Sequence, residues 1–343
     1  MTLLTTLLGL LSCGGASYVD LDPDAFEAKM QEKSAILMDV RTPDEYNEGH
    51  LTGAVNVDWQ GEGFLAKVEA TFPKERALAV YCRSGRRSAE AAARLTKAGY
   101  TVFNLAGGYL AWTEAGKPVS AYEVEVFRAP DGEPVVFTLI KHGSLALTYK
   151  GMSFQFDPVT EHGKHTDYGV EFPKADVIFV THEHGDHLDP QAIQSLTAEG
   201  VTTLVTNARC AEMLGKGTVM ANGDSMTLPS GIQVDAVPAY NCTEGRTQFH
   251  PKGRDNGFIL TLGGLRVYVA GDTEDIPEME SIKDIDIAFL PVNQPYTMTV
   301  EQCVHAAKVL RPKVLIPYHF SRTDLSELPA LLPDVQVLLR QMQ

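Results

Sequence analysis

The chain has few basic residues, few cysteines and no long apolar run, and each absence excludes a class of protein. Lysine and arginine number 29 against 44 aspartates and glutamates, so the formal net charge is −15. Because nucleic-acid phosphates require a basic surface, this balance argues against a nucleic-acid partner. An odd total of five cysteines fits no complete disulfide framework. A hydrophobic content of 44% then indicates an ordinary globular protein.

The apolar run near the amino terminus, residues 3–11, is too short to span a bilayer. Ser12-Cys13-Gly14 follows it, and together they resemble the end of a bacterial lipoprotein signal. The resemblance implies that residues 1–19 are a signal and tether, that Cys13 carries a lipid anchor, and that the protein lies in the cell envelope on the periplasmic side. A signal needs a basic start, which this run lacks, so a cytoplasmic location stays open.

Residues 20–117 and 118–343 differ in pattern, which predicts two domains in a chain that is long for one core. In the first part, short apolar strands alternate with amphipathic helices, which is typical of an α/β parallel sheet with flanking helices. A helix is predicted over residues 88–98, with Ser88 as its N-cap. The polar stretch 116–132 is the predicted boundary. Beyond it, closely spaced strands interrupted by helical segments predict a sandwich of sheets with helices outside.

The sequence Cys82-Arg83-Ser84-Gly85-Arg86-Arg87 comes directly after the predicted strand at residues 77–81 and before a helix. A thiol at that position meets free backbone N–H groups and the positive end of the helix dipole. The three arginines favour the nucleophilic thiolate further. The same cradle could hold the negative sulfur of a persulfide. Cys82 is therefore a candidate catalytic nucleophile, with Arg83 through Arg87 as its anion-binding loop.

Further motifs around this loop resemble the rhodanese family of sulfurtransferases over most of residues 20–117. They are Asp39-Val40-Arg41, Glu45 to Leu51 with Gly53 to Asn56, and Gly107-Gly108-Tyr109 with Ala111-Trp112. The resemblance implies that Cys82 carries a persulfide and that the loop binds a donor such as thiosulfate. The six-residue loop has the length associated with sulfur chemistry. Asp39, Arg41 and His50 are expected to hold the fold rather than do chemistry.

The run Thr181-His182-Glu183-His184-Gly185-Asp186-His187 places three imidazoles and two carboxylates together, directly after an apolar strand at residues 177–180. Neutral imidazole and carboxylate are ligands that zinc, iron and manganese prefer. The crowding predicts a metal site. Asp272 and His319 follow other predicted strands, His142 precedes one, and His250 lies in Gln248-Phe249-His250-Pro251; these four are further candidates. Ligands from several strand ends would build a two-metal site at one edge of a sandwich.

This pattern resembles the metallo-β-lactamase superfamily over residues 121–343. His142-Gly143-Ser144, Asp157-Pro158, Gly271-Asp272-Thr273 and Pro317-Tyr318-His319 point to the branch of ascorbate-6-phosphate lactonase and N-acyl-phosphatidylethanolamine phospholipase D. The resemblance implies an αββα sandwich with two divalent ions, zinc before manganese or iron. His182 and His184 would bind the first ion. Asp186, His187 and His319 would bind the second, with Asp272 bridging.

One ligand departs from the family pattern. Relatives carry a histidine just after the strand equivalent to residues 234–239, where this chain has Tyr240-Asn241. His250 is the favoured replacement and Asn241 the alternative. His142 and Asp157 are expected to orient the ligands, and Asp186 could also position a water or pass on a proton.

Residues around the site also carry predictions. Lys252 and Arg254 could hold an anionic group, or could be solvated loop charges. The loop residues Asn293, Tyr296 and Met298 could line the substrate mouth, and His162 and His165 are expected at the surface.

The leading hypothesis is a metal-dependent hydrolase of a lactone, phosphodiester or related ester, fused to a thiosulfate or persulfide sulfurtransferase. One alternative is a persulfide dioxygenase-like enzyme with mononuclear iron. Another is a hydrolase whose rhodanese half is a non-catalytic binding or sensor module. All three take a small-molecule substrate.

Overall fold

The structure is a computed structural model that describes residues 17–228 and 230–342. The predicted lipid anchor at Cys13 and most of the predicted signal lie outside the described residues. Across the described ranges, no helix combines the length and the apolar character needed to cross a membrane.

The amino-terminal domain is a parallel sheet covered by helices, as the sequence predicts. Its strands are β1 (Val19–Leu21), β2 (Ala35–Asp39), β3 (Val55–Asn56), β4 (Ala77–Tyr81) and β5 (Val102–Leu105), and its helices are α1 (Pro23–Gln31), α2 (Pro43–Asn47), α3 (Phe64–Thr71), α4 (Arg86–Lys97) and α5 (Gly108–Glu114). The strand order is β1-β5-β4-β2-β3, and every pairing is parallel. The loop from Cys82 therefore opens at the carboxyl edge of the central strand β4.

Helix α4 begins two residues earlier than predicted, and the expectation that Ser88 is its N-cap is wrong. Gly85 occupies the N-cap position with a φ of 88°, a left-handed conformation that glycine adopts without steric penalty. The Ser88 hydroxyl instead donates to the Gly85 carbonyl over 3.1 Å. The turn therefore comes at the end of the Cys82 loop, which brings Arg86 and Arg87 into the first turn of the helix.

The second domain contains two mixed sheets. The first is built from β6 (Glu123–Arg128), β7 (Pro134–Lys141), β8 (Ser144–Tyr149), β9 (Met152–Phe156), β12 (Val177–Val180), β13 (Thr203–Thr206) and β14 (Thr218–Val219). The short strands β10 (Glu161–His162) and β11 (Lys164–His165) form a separate pair. The helices in the connections of this sheet are α6 (Tyr168–Glu171), α7 (Pro190–Leu196) and α8 (Ala208–Leu214). The second is built from β15 (Ser225–Thr227), β16 (Gln233–Ala239), β17 (Asp255–Leu262), β18 (Leu265–Val269), β19 (Ile287–Pro291), β20 (Val314–Tyr318) and β21 (Gln336–Val337), with a 3-10 helix (Pro277–Ser281) and helices α9 (Val300–Leu310) and α10 (Leu328–Leu331). Their orders are β14-β13-β12-β9-β8-β7-β6 and β15 through β21 in sequence.

The inner faces of these two sheets pack against each other. Aromatic rings cross the layer, with Phe137 and Phe289 at 5.4 Å and Phe179 and Phe258 at 5.0 Å between ring centroids. These rings belong to one buried apolar cluster with side chains from both sheets. Helix α9 belongs to a second buried cluster on the outer side of the second sheet. The arrangement is the predicted αββα sandwich.

The two domains are in direct contact through β6 and β7. Val124, Val126 and Val136 pack against the apolar core of the amino-terminal domain. Lys33 pairs with Asp176 at 2.6 Å across the same boundary. Strand β6 lies inside the stretch 116–132 that was predicted to be a polar boundary. Its polar residues alternate with these valines, so composition alone does not reveal the strand.

Candidate functional site

The predicted metal ligands lie in the connections that follow strands, and the sandwich brings these connections to one edge. His182 follows β12, Asp272 follows β18 and His319 follows β20 directly. His250 lies on the long connection between β16 and β17, and His142 in the turn between β7 and β8. Donor atoms of these residues fall into groups whose members lie within 4.8 Å of one another. The structure thus brings together residues that lie far apart in the sequence. His142 and His319, for example, are 177 positions apart.

The first group consists of His182, His184 and His250. His250 Nε2 lies 3.2 Å from His184 Nδ1 and 3.4 Å from Asp272 Oδ2. The side-chain nitrogen of the alternative ligand Asn241 donates to the Tyr296 carbonyl over 2.8 Å, while its side-chain oxygen is buried and has no hydrogen-bond partner among the described residues. That carbonyl also lies 3.1 Å from His250 Nδ1, a contact that orients the His250 ring. The geometry favours His250 as the third donor.

The second group consists of Asp186, His187 and His319, with His142 beside them. His319 Nε2 lies 3.6 Å from Asp186 Oδ2, and His187 Nε2 lies 4.0 Å from the same oxygen. His142 Nε2 contacts that oxygen at 3.1 Å. These donors could hold a second ion.

Asp272 lies between the two groups. Its Oδ1 is 3.4 Å from His187 Nε2, and its Oδ2 is 3.2 Å from His319 Nε2 in the second group. The same Oδ2 is 3.8 Å from His182 Nε2 in the first group. A carboxylate that faces both groups is placed to bridge two ions, which is the role predicted for it.

Hydrogen bonds at the opposite ring nitrogens orient the ligands. Asp157 is fully buried; its Oδ2 accepts from the Thr181 hydroxyl at 2.7 Å and lies 2.8 Å from His187 Nδ1. Because the Thr181 hydroxyl donates to Asp157, its oxygen is left to accept from His182 Nδ1 at 3.0 Å. Each ring is thereby held with Nδ1 protonated and Nε2 free, the arrangement that metal-binding histidines need. The expected supporting role of Asp157 has a direct structural basis.

The free donor atoms fit a cation. His182 Nε2, His187 Nε2, His319 Nε2 and Asp272 Oδ1 are buried and have no hydrogen-bond partner among the described residues. Buried polar atoms are seldom left unpaired. Imidazole nitrogens beside carboxylate oxygens are the donor set of zinc, and also of iron and manganese. The residues present therefore fit the implied metal ions.

The charges of the site are strongly coupled. Burial by itself would raise the pKa of Asp272, but the neighbouring His319 and His187 hold it well below its ordinary value. Burial by itself would lower the pKa of His319, but Asp272 and Asp186 raise it to about 10. Burial lowers the pKa of His250 to about 4, so that ring is neutral at pH 7. Two ionised carboxylates thus face a set of imidazoles and attract positive charge.

Three residues of the site have left-handed backbone conformations, with φ of 44° for His142, 42° for Asp157 and 48° for His319. Such conformations cost non-glycine residues about 1–3 kcal/mol each and concentrate at functional sites. Gly143 lies close to the same region: a β-carbon there would be 2.7 Å from His187 Cε1. The local chain is therefore shaped around the ligands.

One predicted residue near the centre differs from expectation, and two predicted loop cations have protein partners. Met298 is fully buried in the core and cannot line a substrate mouth. Lys252 pairs with Glu278 at 2.6 Å, and Arg254 with Glu183 at 2.9 Å and Asp255 at 2.7 Å, so both have protein partners.

Two predicted mouth residues and two histidines complete the surroundings. Tyr296 is 45% exposed and Asn293 is half-buried. His165 is exposed as predicted. His162 is half-buried, however, and its ring lies 4.0 Å from the ring of His142, a contact across strand connections that spacing cannot reveal.

The cysteine loop is built around close backbone contacts. Cys82 is 1% exposed, and its carbonyl accepts from the Tyr109 amide over 2.8 Å. Gly108, with a φ of 62°, lies where a β-carbon would clash with the Cys82 carbonyl oxygen and stand 2.7 Å from the Gly85 nitrogen. The closing Gly107-Gly108 sequence therefore lets a second loop pack directly onto the first.

The arginines of the loop have different roles. Both terminal nitrogens of Arg87 contact the Glu45 carboxylate at 2.7 Å, and this contact lowers the pKa of Glu45 to about 2. Arg83 and Arg86 are exposed, as is Ser84. Of the three arginines predicted to bind the donor anion, Arg87 is therefore already paired in this geometry, and Arg83 and Arg86 face solvent.

The upstream motif is structural. Arg41 donates to both oxygens of Asp39, to Oδ1 over 3.1 Å and to Oδ2 over 2.6 Å, and it donates to the Gly49 carbonyl over 2.6 Å. Asp39, Arg41 and His50 are buried. This agrees with the expectation that they hold the fold.

Comparison with known proteins matches both halves of the chain. A family model described as a rhodanese-like domain matches residues 22–115, and one described as a beta-lactamase superfamily domain matches residues 137–319. A metal-dependent hydrolase from Thermus thermophilus is 31% identical over 182 residues, or 52% of this chain and 81% of that protein. A metal-dependent hydrolase from Archaeoglobus fulgidus is 30% identical over 193 residues, or 54% of this chain and 84% of that protein.

A solved structure is also similar to this chain. A proposed metal-dependent hydrolase from Parabacteroides distasonis has 52% identity and a TM-score of 0.62, over 65% of this chain and 100% of that chain. The match of residues 22–115 to the family model shows that the amino-terminal part is a rhodanese-like domain, as predicted. The narrower resemblance to the lactonase and phospholipase D branch stays a prediction.

Proposed function

This chain belongs to the beta-lactamase superfamily and is a metal-dependent hydrolase of that fold, and from this premise we propose that it hydrolyses a lactone, phosphodiester or related ester at a two-metal site. The observation that carries the proposal is the position of Asp272 between two groups of metal donors. A site with a single iron would need only one of these groups, so the geometry favours hydrolysis over the persulfide dioxygenase alternative.

Different residues would have different roles in such a site. His182, His184 and His250 would hold one ion, and Asp186, His187 and His319 the other, with Asp272 between them. When bound, zinc polarises a carbonyl or phosphoryl oxygen and lowers the pKa of water to about 7. Asp186 Oδ2 faces His142 Nε2 at 3.1 Å, so this pair can hold or pass a proton at the edge of the centre.

We propose zinc as the resident ion because structural and catalytic zinc sites favour this mixture of imidazole and carboxylate. Elemental analysis of the purified protein should find two ions per chain. His184→Ala should lower both the metal content and the hydrolysis of a panel containing an aliphatic lactone, bis(p-nitrophenyl) phosphate and p-nitrophenyl acetate. His165→Ala, which changes an exposed histidine, should leave both unchanged. Absence of bound transition metal, together with full activity of His184→Ala, would exclude the proposal. Oxygen uptake with glutathione persulfide would instead favour the mononuclear iron alternative.

We further propose that the rhodanese-like domain transfers sulfur through Cys82. The support is the position of the thiol at the start of a tight loop, at the carboxyl end of β4 and before α4. Arg83 and Arg86 are the exposed cations available to a donor anion. Formation of thiocyanate from thiosulfate and cyanide should require Cys82, and Cys82→Ser should abolish it while leaving ester hydrolysis intact. If the wild-type protein forms no thiocyanate, the domain is a binding module instead.

A further inference from the structure

The short hairpin formed by β10 and β11 has one face turned towards solvent and one towards the protein. Its strands are antiparallel, with Glu161 opposite His165 and His162 opposite Lys164. Because opposed residues of a β-ladder share a face, His162 and Lys164 lie on one side and Glu161 and His165 on the other. The side chains of Glu161 and His165 are 73% and 61% exposed and contact each other, whereas His162 is half-buried. His162 is therefore the inward histidine of the hairpin.

A buried lysine holds the hairpin in place. Lys141 is 1% exposed, and its ammonium group donates to the Thr160 carbonyl over 2.8 Å and to the Lys164 carbonyl over 2.5 Å. The Thr160 amide donates to Asp189 Oδ2 over 2.8 Å. A buried ammonium is costly unless its donors are satisfied, so these contacts resist displacement of the hairpin. Since Lys141 directly precedes His142 in the chain, they also fix the hairpin relative to the metal centre.

His162 lies beside the second group of metal donors. The ring centroids of His162 and His142 are 4.0 Å apart, and those of His142 and His319 are 3.7 Å apart. Burial lowers the pKa of His162, and the nearby Asp186 carboxylate partly opposes this effect. The Asp186 side chain is 32% exposed, whereas those of His187 and His319 are at most 2% exposed. His162 therefore lies near the part of this group that solvent reaches.

The ring nitrogens of His162 are available to a bound molecule. Neither forms a hydrogen bond to another described residue, and neither is among the buried unpaired atoms of the described chain. The neighbouring rings differ in this respect, because His142 Nε2 contacts Asp186 Oδ2 and His165 Nδ1 contacts Glu161 Oε1. An imidazole that is held in place but has no protein partner can donate to an oxygen of a ligand.

We propose that His162 is a substrate-binding residue of the hydrolase site and donates a hydrogen bond to an ester, lactone or phosphodiester oxygen. The inference rests on the proposed function, since each of these substrates carries a second oxygen besides the one that a metal ion polarises. The β10–β11 hairpin then forms one wall of the substrate site, and His162 favours substrates with an acceptor on that side.

Two substitutions separate hydrogen bonding from packing. His162→Phe keeps a ring against His142 but removes both nitrogens, and it should raise the KM of the hydrolysed panel ester by about tenfold through the loss of one hydrogen bond. His162→Gln keeps an N–H donor without the ring, and its KM should stay within about threefold of the wild-type value. His165→Phe, on the outer face of the hairpin, is the matched control and should not change KM. All three variants should bind wild-type amounts of metal, because none alters a donor of the centre. A larger loss in His162→Gln than in His162→Phe would show that the ring only packs against His142, and would overturn the proposal.

Chemical modification detects ligand contact without turnover. Diethyl pyrocarbonate reacts with accessible imidazole nitrogens, and cleavage by trypsin after Lys150, Lys164 and Lys174 places His162 and His165 in separate peptides for mass spectrometry. Both histidines should react in the metal-loaded protein without ligand. Bis(p-nitrophenyl) phosphate or δ-decalactone, at about ten times its Kd, should slow the modification of His162 by about tenfold and leave that of His165 unchanged.

The two measurements distinguish this inference from the proposed function. If the protein hydrolyses a panel ester but the ester protects His162 no more than His165, the inference fails and the function stands. If no panel ester is hydrolysed, the proposed function fails, while selective protection of His162 would still support its role in binding and equal reaction of both histidines would refute it. A His162 that does not react in the ligand-free protein would also refute it, because its nitrogens would then be inaccessible.

Discussion

Asp157→Asn should weaken metal binding at the second group without unfolding the protein. Asp157 Oδ1 accepts from the Thr181 amide at 2.8 Å, while Oδ2 faces the Thr181 hydroxyl at 2.7 Å and His187 Nδ1 at 2.8 Å. An asparagine can keep the first contact through its oxygen. Its NH2 group would then face the two donors that Oδ2 now accepts. His187 can relieve that conflict only by moving its proton to Nε2, the atom that faces Asp272.

The size of the effect follows from these contacts. A hydrogen bond to a charged group contributes about 1.5–3 kcal/mol. Loss of the hydrogen bond between Asp157 and His187, which fixes the His187 tautomer, should therefore lower the metal affinity by a factor of roughly 10–100. This is the usual range for residues that orient a metal ligand. Because Asp157 is buried and left-handed in backbone conformation, asparagine is the appropriate substitution, since it tolerates that conformation.

Competition with a chromogenic chelator would measure the affinity, and elemental analysis would measure the metal content. We expect one ion to be lost more readily than the other, since only the second group contains His187. Asp324→Asn, at an exposed aspartate, is the control. Unchanged affinity in Asp157→Asn, with circular dichroism showing the wild-type fold, would refute the assignment of Asp157 as the residue that sets the His187 tautomer.

Two predictions concern the rhodanese-like domain. Gly108→Ala should reduce thiosulfate-dependent thiocyanate formation by about a hundredfold, because a β-carbon there clashes with the backbone oxygen of Cys82 and small misplacements of reacting groups have effects of that size. Gly116→Ala is the control: it has a similar φ of 68° but nothing within 4 Å of the added carbon, so equal losses in the two variants would contradict the explanation. Glu45 has its pKa lowered to about 2 by Arg87, so its ion pair stabilises the fold above about pH 5 and is lost as the pH falls towards 2. Glu45→Gln should remove about 1 kcal/mol of that acid dependence after allowance for solvent screening, measured as melting temperature between pH 6 and pH 3; an identical slope in both proteins would contradict it.

The sequence motifs predicted both domains because their signals are local. His182, His184, Asp186 and His187 lie within six positions, and Cys82 lies between a strand and a helix. Such spacing indicates the chemistry of a site independently of the rest of the fold. The helix at Arg86 begins earlier than predicted because Gly85, rather than Ser88, takes the capping conformation. That choice depends on the left-handed turn, which residue preferences identify only weakly.

Other features had no local signal. The sequence did not predict strand β6, which lies in a stretch of polar composition. Its valines pack against the neighbouring domain rather than against nearby sequence. Met298 looked like a mouth residue from its loop position, but the fold buries it. The contact of His162 with His142 joins two connections that the sequence keeps apart.

The sequence by itself therefore determined the two kinds of chemistry, a metal-binding cluster of histidines and a cysteine in a basic loop, because ligand type and spacing are local properties of the chain. Only the tertiary structure decided that Asp272 faces both donor groups, that the His250 donor atom lies beside those of His182 and His184, and that Arg87 is paired with Glu45. These features depend on distances between side chains that the chain brings together only when sheets pack and domains meet.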